Sequence, residues 1–176
     1  KRLCRYLAGL PRLQYLYKWQ EMPKEISILV DTDFAGCKET RRSTSGGCIM
    51  IGQHCIRTWS STQPSVTLSS GEAEYYGLVK AAGAGLGLQA LMADLDLSLP
   101  ARAWTDSSAA LGIASRSGLG KIRHIEVNQL WLQEKVTRGE VEVMKVKGEG
   151  NLADALTKPL EGPGIRKHLE LTGQYT

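Results

Sequence analysis

A short apolar run that ends in acids constrains the fold more than any other feature of this chain. Residues 26–30, ISILV, are followed at once by Asp31, Thr32 and Asp33. A run of this length that is rich in β-branched residues favours a buried strand over a helix. The pattern therefore predicts a strand with carboxylates at its C-terminal tip.

The residues that follow predict further strands and helices in an order typical of α/β domains. A serine-capped, acidic stretch at 69–72 opens a long helix that is expected to run to about Leu95. Four glycines inside it, each costing about 1 kcal/mol, indicate close packing against another element. Strands are expected at 46–52, 55–61, 101–105 and 140–147, and shorter helices at 106–115, 121–138 and 151–158. The order β-β-β-α-β-α-α-β-α predicts a mixed sheet covered by helices.

The two ends of the chain differ from this central part. Residues 2–19 alternate apolar and basic side chains and predict a helix, a turn at Pro11 and an extended piece. Residues 161–176 carry weak signals and are expected to add one helical turn and a loose end. Residues 1–25 hold six Lys/Arg against two Glu, whereas the rest balances sixteen bases with sixteen acids. The central part is therefore not a generally basic nucleic-acid binder.

The composition excludes several other classes of protein. No apolar run approaches the length of a membrane span. The four cysteines, at positions 4, 37, 48 and 55, form neither a CxxC pair nor a zinc-ligand spacing with His. Reduced thiols in an intracellular chain are expected.

Three aspartates lie where a surface charge is not the obvious explanation. Asp31 and Asp106 each end a predicted strand, and Asp154 lies in the first turn of the last predicted helix. Each position also has a structural explanation, since Asp106 could cap a helix and Asp154 could favourably meet a helix N-terminus. Asp33 is an alternative to Asp31 as the functional carboxylate, because residues two apart in a strand lie on the same face. Asp31 is favoured because it follows the apolar run directly.

A fourth carboxylate, Glu74, is predicted to face the sheet. At 100° per residue, Leu78, Ala81 and Gly85 fall within about 40° of Glu74 on the long helix. Glu72 lies about 200° away from it and is expected to face solvent. Strand ends and an inward helical face converge in a layered fold, so the four acids are expected to share one site.

Carboxylates that share a site repel one another unless cations neutralise them. Oxygen ligands of this kind suit Mg²⁺ or Mn²⁺ rather than zinc. A pair of such ions can hold both the attacking and the leaving oxygen of a phosphoryl transfer. The acids thus indicate metal-dependent phosphate chemistry.

At these same positions the sequence resembles the ribonuclease H domains of copia-type retrotransposon Pol polyproteins. The resemblance runs from about residue 26 to 160, in order and with matching gaps. It is carried by DTDFAG at 31–36, RSTSG at 42–46, WSS at 59–61, Gln63-Pro64, LSSGEAEY at 68–75, KIRHI at 121–125 and LADALTKPL at 152–160. Residues 1–20 are similar to the end of the reverse transcriptase part of such polyproteins.

The resemblance implies a ribonuclease H-like fold, with a five-stranded mixed sheet flanked by helices. It implies that Asp31, Glu74, Asp106 and Asp154 are the catalytic residues and bind two Mg²⁺, for which Mn²⁺ can substitute. The expected reaction is hydrolysis of the RNA strand of RNA–DNA hybrids, with a 5′-phosphate on the product. Expected partners are the hybrid and the reverse transcriptase domain, without a membrane. The expected location is intracellular, in cytoplasmic virus-like particles or also in the nucleus.

Substrate contacts are expected near the starts of two helices, through backbone and 2′-hydroxyl recognition rather than base edges. The resemblance places them at Ser69, Ser70, Gly71 and Ser108, although serines there can equally be caps. Cellular and retroviral relatives carry a His in the loop before the last Asp, and this chain has none there. Glu149 occupies that neighbourhood, and His124 lies on the preceding predicted helix.

The expected domain boundaries are a reverse transcriptase tail at 1–25, a ribonuclease H domain at 26–160 and a C-terminal tail at 161–176. Two alternatives stay open. One is a non-catalytic connection-type domain that only grips the hybrid, although such a domain has no reason to keep all four acids. The other is an integrase-like nuclease that acts on DNA, although such enzymes use three acids and lack the block at 68–75.

Overall fold

The computed structural model of the chain describes residues 2–120 and 125–175, except for the side chains of residues 2, 3 and 7. The strands are β1 (Gln14–Tyr15), β2 (Ile26–Asp33), β3 (Thr44–Ile51), β4 (His54–Thr62), β5 (Ala101–Thr105), β6 (Val141–Lys145) and β7 (Gln174–Tyr175). The α-helices are α1 (Arg2–Gly9), α2 (Ser70–Asp94), α3 (Ser108–Ala114), α4 (Trp131–Thr137) and α5 (Gly162–Leu171). Single 3-10 turns span Val127–Leu130, Gly148–Gly150 and Leu152–Leu156.

Five strands form one mixed sheet in the order β4-β3-β2-β5-β6. β2 pairs antiparallel with β3, and β3 pairs antiparallel with β4 through a tight turn at residues 52–53. β2 and β6 each pair parallel with β5. The expected five-stranded mixed sheet with flanking helices is confirmed, and β2 lies at its centre.

The core lies on both faces of this central strand. Alternate residues of β2, Ile26, Ile28 and Val30, pack with the buried face of α2, including Tyr75 and Leu78. A smaller cluster of Cys48, Met50 and Cys55 packs with Leu29, Leu152 and Leu156. The 152–156 turn therefore covers the part of the sheet that the long helix leaves free. All four cysteines are free thiols.

Several expected boundaries differ from the structure. The helix expected at 121–138 is a 3-10 turn followed by the short α4, and residues 121–124 lie outside the described part of the chain. The buried Tyr75 hydroxyl donates to the Gln129 carbonyl at 2.7 Å, so this carbonyl has a side-chain donor rather than relying on an α-helical hydrogen bond. The helix expected at 151–158 is only the 152–156 turn, because Thr157 and Lys158 turn towards Asp31.

The prediction of a loose end after residue 161 is wrong. α5 spans Gly162–Leu171 with a proline in its first turn, a position at which proline costs little. β7 then pairs antiparallel with β1, and the Leu16 amide donates to the Gly173 carbonyl at 2.9 Å. The two ends of the chain thus pair with each other, and the boundaries at 25 and 160 stay predictions.

The glycines of α2 divide into two kinds, which gives a stability prediction. A Cβ at Gly85 would lie 2.3 Å from Cδ1 of the fully buried Ile28, whereas one at Gly83 would meet no atom within 4 Å. We expect Gly85→Ala to destabilise the fold by about 1–3 kcal/mol through overpacking. Gly83→Ala should instead stabilise it by about 1 kcal/mol through helix propensity. Urea denaturation of both variants checks this, and equal effects would show that α2 does not pack this tightly on β2.

Candidate active site

Two aspartates meet because they follow neighbouring parallel strands. Val30 of β2 pairs with Thr105 of β5, so that Asp31 and Asp106 come next on adjacent strands at the same edge of the sheet. Asp31 is only 1% exposed, and Asp106 is partly buried. The prediction that the strand ends place carboxylates close together is therefore confirmed for Asp31 and Asp106.

Glu74 reaches the same place from the second turn of α2. The helix comes close to β2 where it has a glycine, since a Cβ at Gly77 would lie 2.5 Å from the Thr32 hydroxyl. One carboxylate oxygen from each of Asp31, Glu74 and Asp106 lies within 4.8 Å of the others. These three residues are called the carboxylate cluster below.

The cluster is electrostatically unfavourable without a cation. Burial, followed by the charges of Asp31 and Asp106, raises the pKa of Glu74 to about 8. Burial and the charges of Asp31 and Asp154 also raise the pKa of Asp106. Oε2 of Glu74 is buried and has no hydrogen-bond partner among the described residues. Oxygen donors under mutual repulsion, one of them without a partner, fit a hard divalent cation such as Mg²⁺.

Asp154 comes from the 152–156 turn and lies beside the cluster. The Asn151 amide donates to the Val30 carbonyl at 2.9 Å, and its oxygen accepts from the Ala153 amide at 3.1 Å. Asn151 therefore caps the turn and ties it to β2 one residue before Asp31. The cluster of mutually close oxygens holds three of the four expected acids, and Asp154 lies near enough to raise the pKa of Asp106.

A lysine occupies the space between Asp31 and Asp154. Nζ of Lys158 lies 3.3 Å from both carboxylate oxygens of Asp31 and 3.0 Å from Oδ1 of Asp154. The neighbouring Thr157 hydroxyl donates to Oδ2 of Asp31. Burial lowers the pKa of Lys158, but its hydrogen bond to Asp154 and the charge of Asp31 outweigh this effect and raise it. Sequence reasoning missed Asn151, Thr157 and Lys158, although Lys158 follows Asp154 by four residues.

The sequence of the chain is similar to a part of known Pol polyproteins. The retrovirus-related Pol polyprotein from transposon RE1 of Arabidopsis thaliana is 30% identical over 163 residues, which cover 91% of this chain and 11% of that protein. The chain thus spans about a tenth of the length of this polyprotein and of two further Pol polyproteins that it matches. No protein-family model matches the chain.

Solved structures identify the fold. LC11-RNase H1, isolated from compost by a metagenomic approach, matches with a TM-score of 0.52 at 19% identity, over 83% of this chain and 99% of that one. The same enzyme in complex with an RNA/DNA hybrid matches with a TM-score of 0.50 at 17% identity, over 82% and 99%. The chain is thus similar in sequence to a part of a retrovirus-related Pol polyprotein and similar in fold to ribonuclease H.

In this ribonuclease H fold, the residues expected to contact substrate lie at the starts of α2 and α3. Ser69 caps α2 by accepting from the Glu72 amide at 3.2 Å, and Ser70 is exposed. A Cβ at Gly71 would lie 2.8 Å from Cβ of Ala109, so the two helix starts pack closely. The Ser108 hydroxyl accepts from Nζ of Lys145 at 2.7 Å. Both helix starts thus border one surface, and substrate contacts there stay a prediction.

The expectation that Glu72 faces solvent is wrong. Glu72 is 2% exposed, and its Oε2 accepts from the Leu68 amide at 2.8 Å. With Ser69 accepting from the Glu72 amide, this arrangement resembles a capping box, in which an acid in the first turn folds back over the helix start. The helical angle separated Glu72 from Glu74 correctly, but it did not reveal that the chain before the helix covers Glu72.

The remaining expected residues are not members of the cluster or lie outside the described part of the chain. The Asp33 carboxylate packs against Gly36 in the turn after β2. Glu149 lies in the 148–150 turn that follows β6. His124 falls in the part that is not described, so its role, like the replacement for the loop His, stays open.

The raised pKa of Glu74 predicts how stability depends on pH without metal. A Glu in the unfolded chain has its ordinary pKa of 4.5, whereas burial and the neighbouring carboxylates raise the pKa of Glu74 to about 8 in the folded chain. Between these values the folded chain holds a proton that the unfolded chain releases, so the free energy of unfolding falls as pH rises. Glu74→Gln removes this penalty, and we expect it to raise the melting temperature by a few °C at pH 9 and much less at pH 5.

Calorimetry with EDTA at both pH values checks this expectation, with Glu72→Gln as the control for an amide in the same helix. A lower melting temperature for Glu74→Gln at pH 9 would contradict it and would indicate that the carboxylate supports the fold.

Proposed function

We propose that this domain is a metal-dependent endonuclease that hydrolyses the RNA strand of RNA–DNA hybrids during retrotransposon reverse transcription. The observation that carries the proposal is the carboxylate cluster, at the strand ends of a sheet with the ribonuclease H fold. Its relatives are Pol polyproteins, and LC11-RNase H1 has been solved with an RNA/DNA hybrid. Both observations support nucleic acid as the substrate.

The roles of the residues follow from their positions. Asp31, Glu74 and Asp106, with Asp154 beside them, would hold the divalent ions. Bound ions of this kind supply activation of water and neutralisation of charge on the leaving oxygen. The buried carboxylate of Asp31 is held in place by the Thr157 hydroxyl, and Asn151 fixes the turn that presents Asp154. The chain itself would therefore provide oxygen ligands from four separate segments, which are β2, α2, the end of β5 and the 152–156 turn.

Recognition of the hybrid would use shape at the starts of α2 and α3. The small residues Ser69, Ser70, Gly71 and Ser108 would allow a nucleic-acid backbone to come close, and the serine hydroxyls would bond sugar and phosphate oxygens. The basic segment at residues 1–25 is a candidate for additional phosphate contacts. We further propose the reverse transcriptase of the same polyprotein as a partner and an intracellular location. Among the described residues, none of the helices combines the length and apolar character of a bilayer span.

A substrate panel tests the proposal. With Mg²⁺ or Mn²⁺ we expect cleavage of an RNA–DNA hybrid, and with Ca²⁺ or EDTA none, because the carboxylate site needs a small cation to bring water and phosphate together. Duplex DNA and duplex RNA serve as controls in the same buffers. Cutting of duplex DNA at the hybrid's rate would favour the integrase-like alternative. Hybrid binding without any cleavage would favour the connection-type alternative.

A further inference from the structure

Lys158 brings a positive charge to the site from within the chain. Its ammonium group contacts the carboxylates of Asp31 and Asp154, which come from β2 and from the 152–156 turn. The side chain of Asp31 is 2% exposed and that of Lys158 is 48% exposed. One partner of this ion pair is therefore fixed in the protein interior, and the other reaches it from the surface.

The contacts of Lys158 involve the same carboxylate oxygens that a metal ion would need. The Thr157 hydroxyl donates to Oδ2 of Asp31, and Nζ of Lys158 lies 3.3 Å from both oxygens of that carboxylate. A divalent cation held by Asp31 and Asp154 would approach the same oxygens that Lys158 contacts. A metal ion bound to these oxygens would lie close to the ammonium group of Lys158, and the two positive charges would repel each other. Lys158 and the metal thus compete for one position.

The chain is arranged so that the lysine can leave without unfolding the site. The Asn151 side chain anchors the 152–156 turn to β2 through backbone groups, and this anchor does not involve Lys158. A lysine has a flexible stem, and half of this side chain already lies in solvent. Its displacement would therefore require a rotamer change rather than a backbone rearrangement.

We propose that Lys158 is an internal counter-ion that neutralises the Asp31–Asp154 side of the site until a divalent cation displaces it. It stabilises the metal-free fold and lowers the affinity for metal. The inference rests on the proposed function, because it concerns the same carboxylates. Lys158 therefore acts through the carboxylates of Asp31 and Asp154 in the metal-free state.

Calorimetric titration of the metal-free chain with Mn²⁺, together with its melting temperature in EDTA, tests the proposal. We expect Lys158→Gln to bind Mn²⁺ about tenfold more tightly, since an opposing charge has been removed, and to melt at a lower temperature in EDTA. Lys158→Arg keeps the charge and should bind Mn²⁺ like the wild-type chain. Lys145→Gln is the matched control, because Lys145 lies at the same edge but contacts the Asp106 main-chain carbonyl and Ser108 rather than a carboxylate.

The outcomes separate this inference from the proposed function. Equal Mn²⁺ affinity in the wild-type chain and in Lys158→Gln, or weaker affinity in the variant, would overturn the counter-ion role while leaving a metal site in place. Equal tightening in Lys145→Gln would also overturn it, since only general charge would then matter. A wild-type chain that binds no Mn²⁺ would overturn the proposed function itself, and the inference with it.

Discussion

Glu74→Gln is expected to lower the rate of hybrid cleavage by roughly a thousandfold, equivalent to ~4 kcal/mol of transition-state stabilisation. The change removes one anionic ligand from a cluster whose oxygens lie within 4.8 Å of one another. Glutamine has the same shape, so the packing of α2 on the sheet should be preserved. Single-turnover cleavage of a labelled hybrid at saturating Mg²⁺ measures the effect.

Glu72→Gln is the matched control, since it makes the same chemical change two residues away on the same helix. Glu72 accepts a hydrogen bond from the Leu68 amide, and a glutamine oxygen can accept that bond as well. We therefore expect this variant to keep most of the activity. If both variants lose activity equally while remaining folded, the assignment of Glu74 to the metal site is wrong.

Asn151→Ala is expected to lower both stability and activity. It leaves the buried Val30 carbonyl without the amide donor and removes the cap from the 152–156 turn. An unpartnered buried polar group costs about 1–3 kcal/mol. We also expect kcat to fall by about tenfold or more, with little change in KM, because misplacement of a catalytic group acts on the chemical step.

A stability-matched control separates the two effects of Asn151→Ala. Gly85→Ala is expected to destabilise the fold to a similar extent from the opposite face of β2, far along the helix from Glu74. Both variants are compared at a temperature where each is fully folded. An equal loss of kcat in both would show that Asn151 acts through global stability alone and does not position Asp154.

The part of the site that the sequence predicted depends on regular elements. Asp31 and Asp106 follow strands whose apolar pattern is plain, and their parallel pairing brings them together. Glu74 lies at a helical angle that can be counted from the buried residues of α2. Strand and helical patterns in the sequence were therefore enough to predict that these three acids lie together.

The parts that were not predicted depend on irregular backbone and on contacts between distant segments. Lys158 reaches Asp31 across 127 residues of sequence, after a 3-10 turn that no periodicity marks. Glu72 is covered by the chain before its helix, which the helical angle alone cannot show. The pairing of β1 with β7 joins two-residue strands at opposite ends of the chain. Such short strands carry no alternation from which pairing could be predicted.

Cleavage of an RNA–DNA hybrid, labelled on each strand in turn, is the most direct measurement of the proposed nuclease activity. The wild-type chain with Mg²⁺ is expected to cut only the RNA strand, at internal positions, and to leave 5′-phosphate ends. Glu74→Gln prepared in parallel should cut about a thousandfold more slowly, and this difference excludes a contaminating nuclease. Cleavage of the DNA strand, or an intact hybrid in the presence of bound Mg²⁺, would contradict a ribonuclease H activity for this domain.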